Sequence, residues 1–144
     1  MNRYEEHRFR HQNEFNAFPI MYAFSNEQFD KGMIKLGLNP DDTDKIYSIG
    51  EGGYIRKSDH QAFHKMLDKF KEEDNKAIAN DINGNGFIKE MFLYELKNHE
   101  YSYTRDSDTV LEVIEALGFT PEDIVKNKNL IKGLDNALKE INGR

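Results

Sequence analysis

Two stretches of this chain, 81 residues apart, stop a helix with the same punctuation. Leu36-Gly-Leu-Asn-Pro-Asp-Asp42 and Leu117-Gly-Phe-Thr-Pro-Glu-Asp123 each close an apolar stripe, Phe29, Met33 and Leu36 in the first and Val110, Ile114 and Leu117 in the second. That spacing puts one oily face on each helix. Ser25 and Asp106 stand where a side-chain oxygen can accept from a free N–H of the first turn, and Gln28 completes a capping box after Ser25. Gly37 and Gly118 stand where a helix end takes the left-handed conformation. Asn39 and Thr120 then predict the cap of a second, short helix, with proline first and acids in its opening turn. Ahead of each long helix lies a run that reads as a strand, and Tyr22 aligns on Tyr103. The pattern describes a strand–helix–corner unit that could be a duplication; a common helix corner met twice by chance is the plainer account.

The remaining chain fits around these units. Residues 1–16 predict an N-terminal helical arm with a thin apolar stripe. Residues 17–57 hold the first unit, with Phe18 to Phe24 read as a strand covered on both faces, and a hairpin over Lys45 to Lys57 with a glycine turn. Residues 58–97 predict a helical pair, the first capped by Ser58 and striped by Phe63, Met66, Leu67 and Phe70, the second striped by Ile88, Met91, Phe92 and Leu96. Residues 98–126 hold the second unit and residues 127–144 a last amphipathic helix. The sum predicts one α+β domain over residues 1–144, a small, mostly antiparallel sheet of three to four strands packed by about six helices.

Composition narrows the function classes. The chain has 144 residues and no cysteine, which excludes disulfide and thiolate chemistry and points to a reducing compartment. The first residues are charged, not apolar, and no run nears the roughly 20 apolar residues that span a bilayer; the expectation is a soluble cytoplasmic protein with no membrane partner. Net charge is −6, and residues 73–144 hold 9 Lys/Arg against 14 Asp/Glu. Such a balance argues against direct nucleic-acid binding, which needs clustered Lys and Arg. It could instead offer an acidic face to a basic groove on a protein; plain solubility of a mixed-charge surface is the simpler account.

Four patterns carry candidate chemistry. Asp81-Ile-Asn-Gly-Asn-Gly-Phe-Ile-Lys-Glu-Met-Phe92 resembles the calcium loop of the EF-hand family over those twelve residues, with Asp81, Asn83 and Asn85 as oxygen ligands and Gly86 at the bend. Phe92 stands where that family needs a bidentate Glu, so a plain Gly/Asn turn is the favoured reading. His7/His11 and His60/His64 each sit at i, i+4 spacing and can share a metal, although solvated histidines on a helix face explain them more simply. His60-Gln-Ala-Phe-His64 lacks the Glu a zinc protease needs as its base, since Gln61 holds that place. Gly50-Glu-Gly-Gly53 leads into a strand and not a helix, so it reads as a hairpin turn and not a phosphate cradle. Asn98 to Arg105 gathers His99, Glu100, Tyr101 and Tyr103, an acid–base set in a small enzyme or, more simply, a strand with both tyrosines on one face.

Phe18-Pro-Ile-Met-Tyr-Ala-Phe-Ser-Asn-Glu-Gln-Phe29, Gly52-Gly-Tyr-Ile-Arg-Lys57 and Tyr94-Glu-Leu-Lys-Asn-His-Glu-Tyr-Ser-Tyr-Thr104 resemble a family of small uncharacterised proteins from gut Firmicutes and their phages or mobile elements. The resemblance covers the chain from its first helix to Asp123 and implies an accessory role, often inhibition of a host defence enzyme. It brings no catalytic residue and no cofactor. The expectation is therefore a non-enzymatic interaction protein that regulates a protein partner, such as a nucleic-acid-handling enzyme, through Glu95, Glu100, Asp106, Asp108, Glu112, Glu115, Glu122 and Asp123. The alternatives are a weak calcium- or metal-responsive module and a small enzyme built on His99 and Glu100.

Overall fold

The structure, a computed structural model, describes residues 1–143. Among them are eight α-helices, two short 3-10 turns and a three-stranded antiparallel sheet, which makes the chain α+β. The backbone forms two compact units, one of residues 1–9 and 72–144 and the other of residues 10–71. The boundaries fall inside α1 (Arg3–Ala17) and α3 (His60–Asn80).

In the unit of residues 10–71, β1 (Met21–Tyr22) leads into α2 (Asn26–Lys35), and β2 (Ile46–Gly50) and β3 (Gly53–Arg56) form the expected hairpin. The strand order is β1-β3-β2, with Met21 opposite Tyr54 and Tyr47 opposite Ile55. Glu51 and Gly52 both have positive φ, 52° and 79°, which is the turn whose twist matches that of the flanking strands. A bulge between Ser48 and Gly50 adjusts the register beside it. Met21, Met33 and Leu36 form a small core with Phe29, Leu38, Ile46 and Tyr54 packed on it.

Two expectations fail here. The strand read over Phe18 to Phe24 shrinks to two residues, and Tyr22 and Phe24 are exposed by 53% and 77%. Edge position is the reason, because β1 pairs with β3 alone and α2 packs against it. Nor does Asn39 start a second α-helix; the chain makes only a 3-10 turn over Thr43–Lys45.

The other unit is almost wholly helical. The helices α4 (Phe87–Asn98) and α8 (Lys128–Asn142) form its centre, with α6 (Ser107–Ala116) and α7 (Pro121–Lys126) against them. From α4 the core takes Phe87, Ile88, Met91, Phe92 and Leu96, and it closes on Val113, Ile114, Ile124, Leu130 and Ala137. Gly133 lets α8 approach α4 closely, since a Cβ there would strike the Ile88 side chain. Asn127 caps α8 by accepting from the N–H groups of Asn129 and Leu130.

The strand expected at Glu100–Arg105 is instead a single helical turn, α5 (Tyr101–Thr104). No neighbouring strand is there to pair its backbone, so the polar groups close on themselves: Arg105 N–H donates to the Tyr101 carbonyl and Thr104 N–H to that of Glu100. Residues two apart on a helix point about 200° apart. Tyr101 is accordingly buried while Tyr103 is 86% exposed, where a strand would have put both on one face.

Candidate functional site

The exposed surface of α5 and α6 is the strongest candidate, and its construction is local. Asp106 starts α6: its Oδ1 accepts from the Thr109 N–H at 2.8 Å and the Thr109 hydroxyl at 2.7 Å. That hydroxyl, having given its proton, accepts from Thr104 at 2.8 Å, which ties α5 to α6. These donors, the Thr109 hydroxyl first, hold the Asp106 carboxyl below its ordinary range. Beyond the cap, Asp108, Glu112 and Glu115 are all exposed. Their spacing of four and three residues puts them on one face, about 6 and 4.5 Å apart along the axis.

Two non-glycine residues in the left-handed region bracket α5, Glu100 at φ 58° and Arg105 at φ 49°. Each such conformation costs about 1–2 kcal/mol. The turn is held from inside, where Asn142 Nδ2 donates to the Tyr101 hydroxyl at 2.9 Å. It presents Tyr103 outward between the two strained residues. Backbone strain of this kind concentrates at functional positions.

The eight acidic residues expected to form one exterior do not share one role. Glu95 is corrected: it is 8% exposed and therefore not available to a partner. It falls on the buried stripe of α4, one turn beyond Met91, and that position was the signal available in the sequence. The Tyr4 hydroxyl donates to it at 3.2 Å, and Arg8 Nη1 lies 3.6 Å away. Arg8 also lies 4.8 Å from the centre of the Tyr94 ring. Burial first, and then the charge of Glu95, push the Tyr4 hydroxyl well above its ordinary value, so it serves as a neutral donor. The group fastens the first turns of α1 to α4. Asp106 and Asp123 act as caps, the latter in a capping box with Thr120. Glu122 lies 3.8 Å from Lys126 with both side chains in water, a pair of little energetic weight. Glu100, Asp108, Glu112 and Glu115 make no ion pair among the described residues.

The other sequence candidates have structural partners. His99 Nδ1 donates to the Glu95 main-chain carbonyl at 2.8 Å, which requires a proton on Nδ1. The carboxylate near it is that of Glu95, 4.0 Å away, rather than exposed Glu100. The i, i+4 spacing on α4 would have shown this pairing. In the loop before α4, both Asp81 oxygens accept from the Gly86 N–H at 3.2 Å, and Oδ2 from Ile88 N–H at 2.9 Å. Backbone donors of Gly86 and Ile88 thus meet the Asp81 carboxylate from within the loop. Asn136 of α8 holds the loop through the Asn83 and Gly84 carbonyls. On α1, His7 Nδ1 is 2.9 Å from Asp74 Oδ1, and His11 stacks on Phe70 with ring centres 4.2 Å apart. A groove of about 520 Å³ between β1 and α2 is lined by Tyr22, Phe24, Lys31 and Lys35; no acid–base pair faces it.

A family model matches residues 3–140. The chain belongs to DUF7659, a family of unknown function. No curated protein and no solved structure matches it. The DUF7659 match runs from the first residue of α1 into α8, so the acidic face of α6, the α5 turn and both corners lie inside it. The likeness to uncharacterised small proteins is borne out at that level. No helix among the described residues is long and apolar enough to cross a membrane.

Proposed function

We propose that this chain is a non-enzymatic interaction protein whose acidic face docks in the basic groove of a protein that handles nucleic acid. The observation that carries the reading is the face of α6, where Asp108, Glu112 and Glu115 stand exposed and without a basic partner among the described residues. Between Glu100 and Asp123 the chain holds seven acids and one base, Arg105. Carboxylates repeated along a helix repel one another in the free protein and are relieved by a row of Lys or Arg. Exposed Tyr103, in the turn ahead of α6, supplies a large side chain of the type that dominates interface energies. The resemblance to proteins of phages and mobile elements supports the finer form, an inhibitor of a host defence enzyme acting in the cytoplasm.

Charge reversal tests this. The full chain is immobilised and challenged with host lysate at low and high salt, with and without duplex DNA as competitor. The expected result is capture that salt and DNA both weaken and that Asp108→Lys/Glu112→Lys/Glu115→Lys abolishes. Capture indifferent to all three would end the proposal.

A further inference from the structure

His60 opens α3 and His64 follows one turn on, in the unit of residues 10–71. Their Nε2 atoms are 2.9 Å apart, with the ring planes at 82°. Tyr47 of β2 packs against the His60 ring with centres 4.2 Å apart, so the hairpin holds the first imidazole in place. His64 is exposed. One Nε2–H donates to the other Nε2, an arrangement that takes one ring with its proton on Nε2 and the other with its proton on Nδ1.

That separation also matches a ligand bite. Two imidazole nitrogens, each about 2.0–2.1 Å from a metal ion, stand about 2.9 Å apart when they bind at a right angle. A tetrahedral angle would require about 3.3–3.4 Å. We propose that His60 and His64 form a two-nitrogen site for a divalent transition metal ion that prefers right-angled coordination, Cu²⁺ or Ni²⁺. Imidazole nitrogens in square or tetragonal arrangement suit these two ions, and Cu²⁺ heads the affinity order. The helix spacing places both rings on one side before the ion arrives, so little ordering is required. On binding, the shared proton moves to Nδ1 of its own ring and both Nε2 lone pairs turn to the metal, with no net proton released. Water fills the remaining positions. The proposal involves no residue of the acidic face and stands or falls apart from it.

The test uses the whole chain and the aqueous metal ions. Cu²⁺ is added in small steps while the ring C–H signals of the five histidines are followed by NMR. The His60 and His64 signals broaden first; earlier broadening at His7, His11 or His99 overturns the assignment. In Ni²⁺ titration calorimetry His64→Ala weakens binding by about tenfold or more, because the second nitrogen binds at a high effective concentration, while His99→Ala leaves it unchanged. Unaltered Ni²⁺ affinity in His64→Ala refutes the site. Zn²⁺ binding as tight as Cu²⁺ refutes the right-angled geometry.

Discussion

At Leu36 and at Leu117 two amphipathic helices stop in the same way. Leu38 N–H donates to the Met33 carbonyl at 2.9 Å, and Phe119 N–H to that of Ile114 at 3.0 Å. Between them Gly37 and Gly118 take φ of 78° and 83°, the left-handed closure common at helix ends. The acids answer alike as well: Asp42 Oδ2 accepts from the Asn39 N–H at 3.0 Å, and Asp123 Oδ2 from the Thr120 N–H at 2.8 Å. After that the copies part. Thr120 accepts from the Asp123 N–H and α7 follows, whereas Asn39 caps nothing and only a 3-10 turn forms. The residue that differs most is four past the cap, buried Ile124 in one copy and exposed Thr43 in the other. Caps and proline permit a short helix; an apolar side chain with somewhere to hide makes it persist.

Four perturbations break or sharpen that comparison. The largest effect is expected from Ile124→Thr, which makes the second corner resemble the first. Loss of a buried side chain should destabilise by about 2–4 kcal/mol in urea unfolding, against less than about 0.5 kcal/mol for Thr43→Ala on the surface. Equal costs would mean that Ile124 is not what separates the corners. Next, Gly37→Ala and Gly118→Ala should each cost about 1–2 kcal/mol and agree within a few tenths, since a Cβ meets no neighbour at either place and only the backbone objects. A wide disagreement would show that the two closures are not equivalent. Ser25→Ala should cost about 1 kcal/mol, read as faster amide exchange in the first turn of α2; unchanged exchange would deny the cap a role.

The smallest effect separates the caps by pH. The carboxyl of Asp106 is held below its ordinary pKa, so its contribution is complete above the unfolded value near 3.9 and vanishes as the pH falls through the folded value. Thermal melts of wild type and Asp106→Asn should therefore converge as the pH drops from about 5 toward 2. Ser25→Asn exchanges one uncharged cap for another and should differ from wild type by the same amount throughout. A constant gap for Asp106→Asn would refute the assignment.

These corners were legible because every signal in them is local. Cap, stripe, glycine and proline act within a few residues, and α2, α6, α7 and the hairpin appear where their residues predict. What escaped depends on distant partners. Glu100–Arg105 has strand-like residues, yet no strand lies beside it and it closes into α5. Phe18–Phe24 has the oiliness of a covered strand, yet β1 lies at an edge with two residues paired. Glu95 could be placed on the buried stripe of α4, but not its partner, the Tyr4 hydroxyl 91 positions earlier. The acid face of α6 was visible as charge and Asp106 as its cap; that Asp123 closes a capping box with Thr120 was legible only as an acid in the first turn.

The brevity of β1 has a consequence for how this molecule behaves in a crowd. Met21 and Ala23 turn their main-chain groups toward β3, Ala23 N–H donating to the Gly52 carbonyl at 2.9 Å. Alternation then turns only Tyr22 fully outward between them, and the Phe24 N–H is already taken by Gln28 Oε1 at 2.7 Å. A would-be neighbour finds one residue to pair with, too little to template a growing stack of strands. The tyrosine and phenylalanine exposed there thus sit beside almost no free backbone that a strand of another chain could pair with at β1.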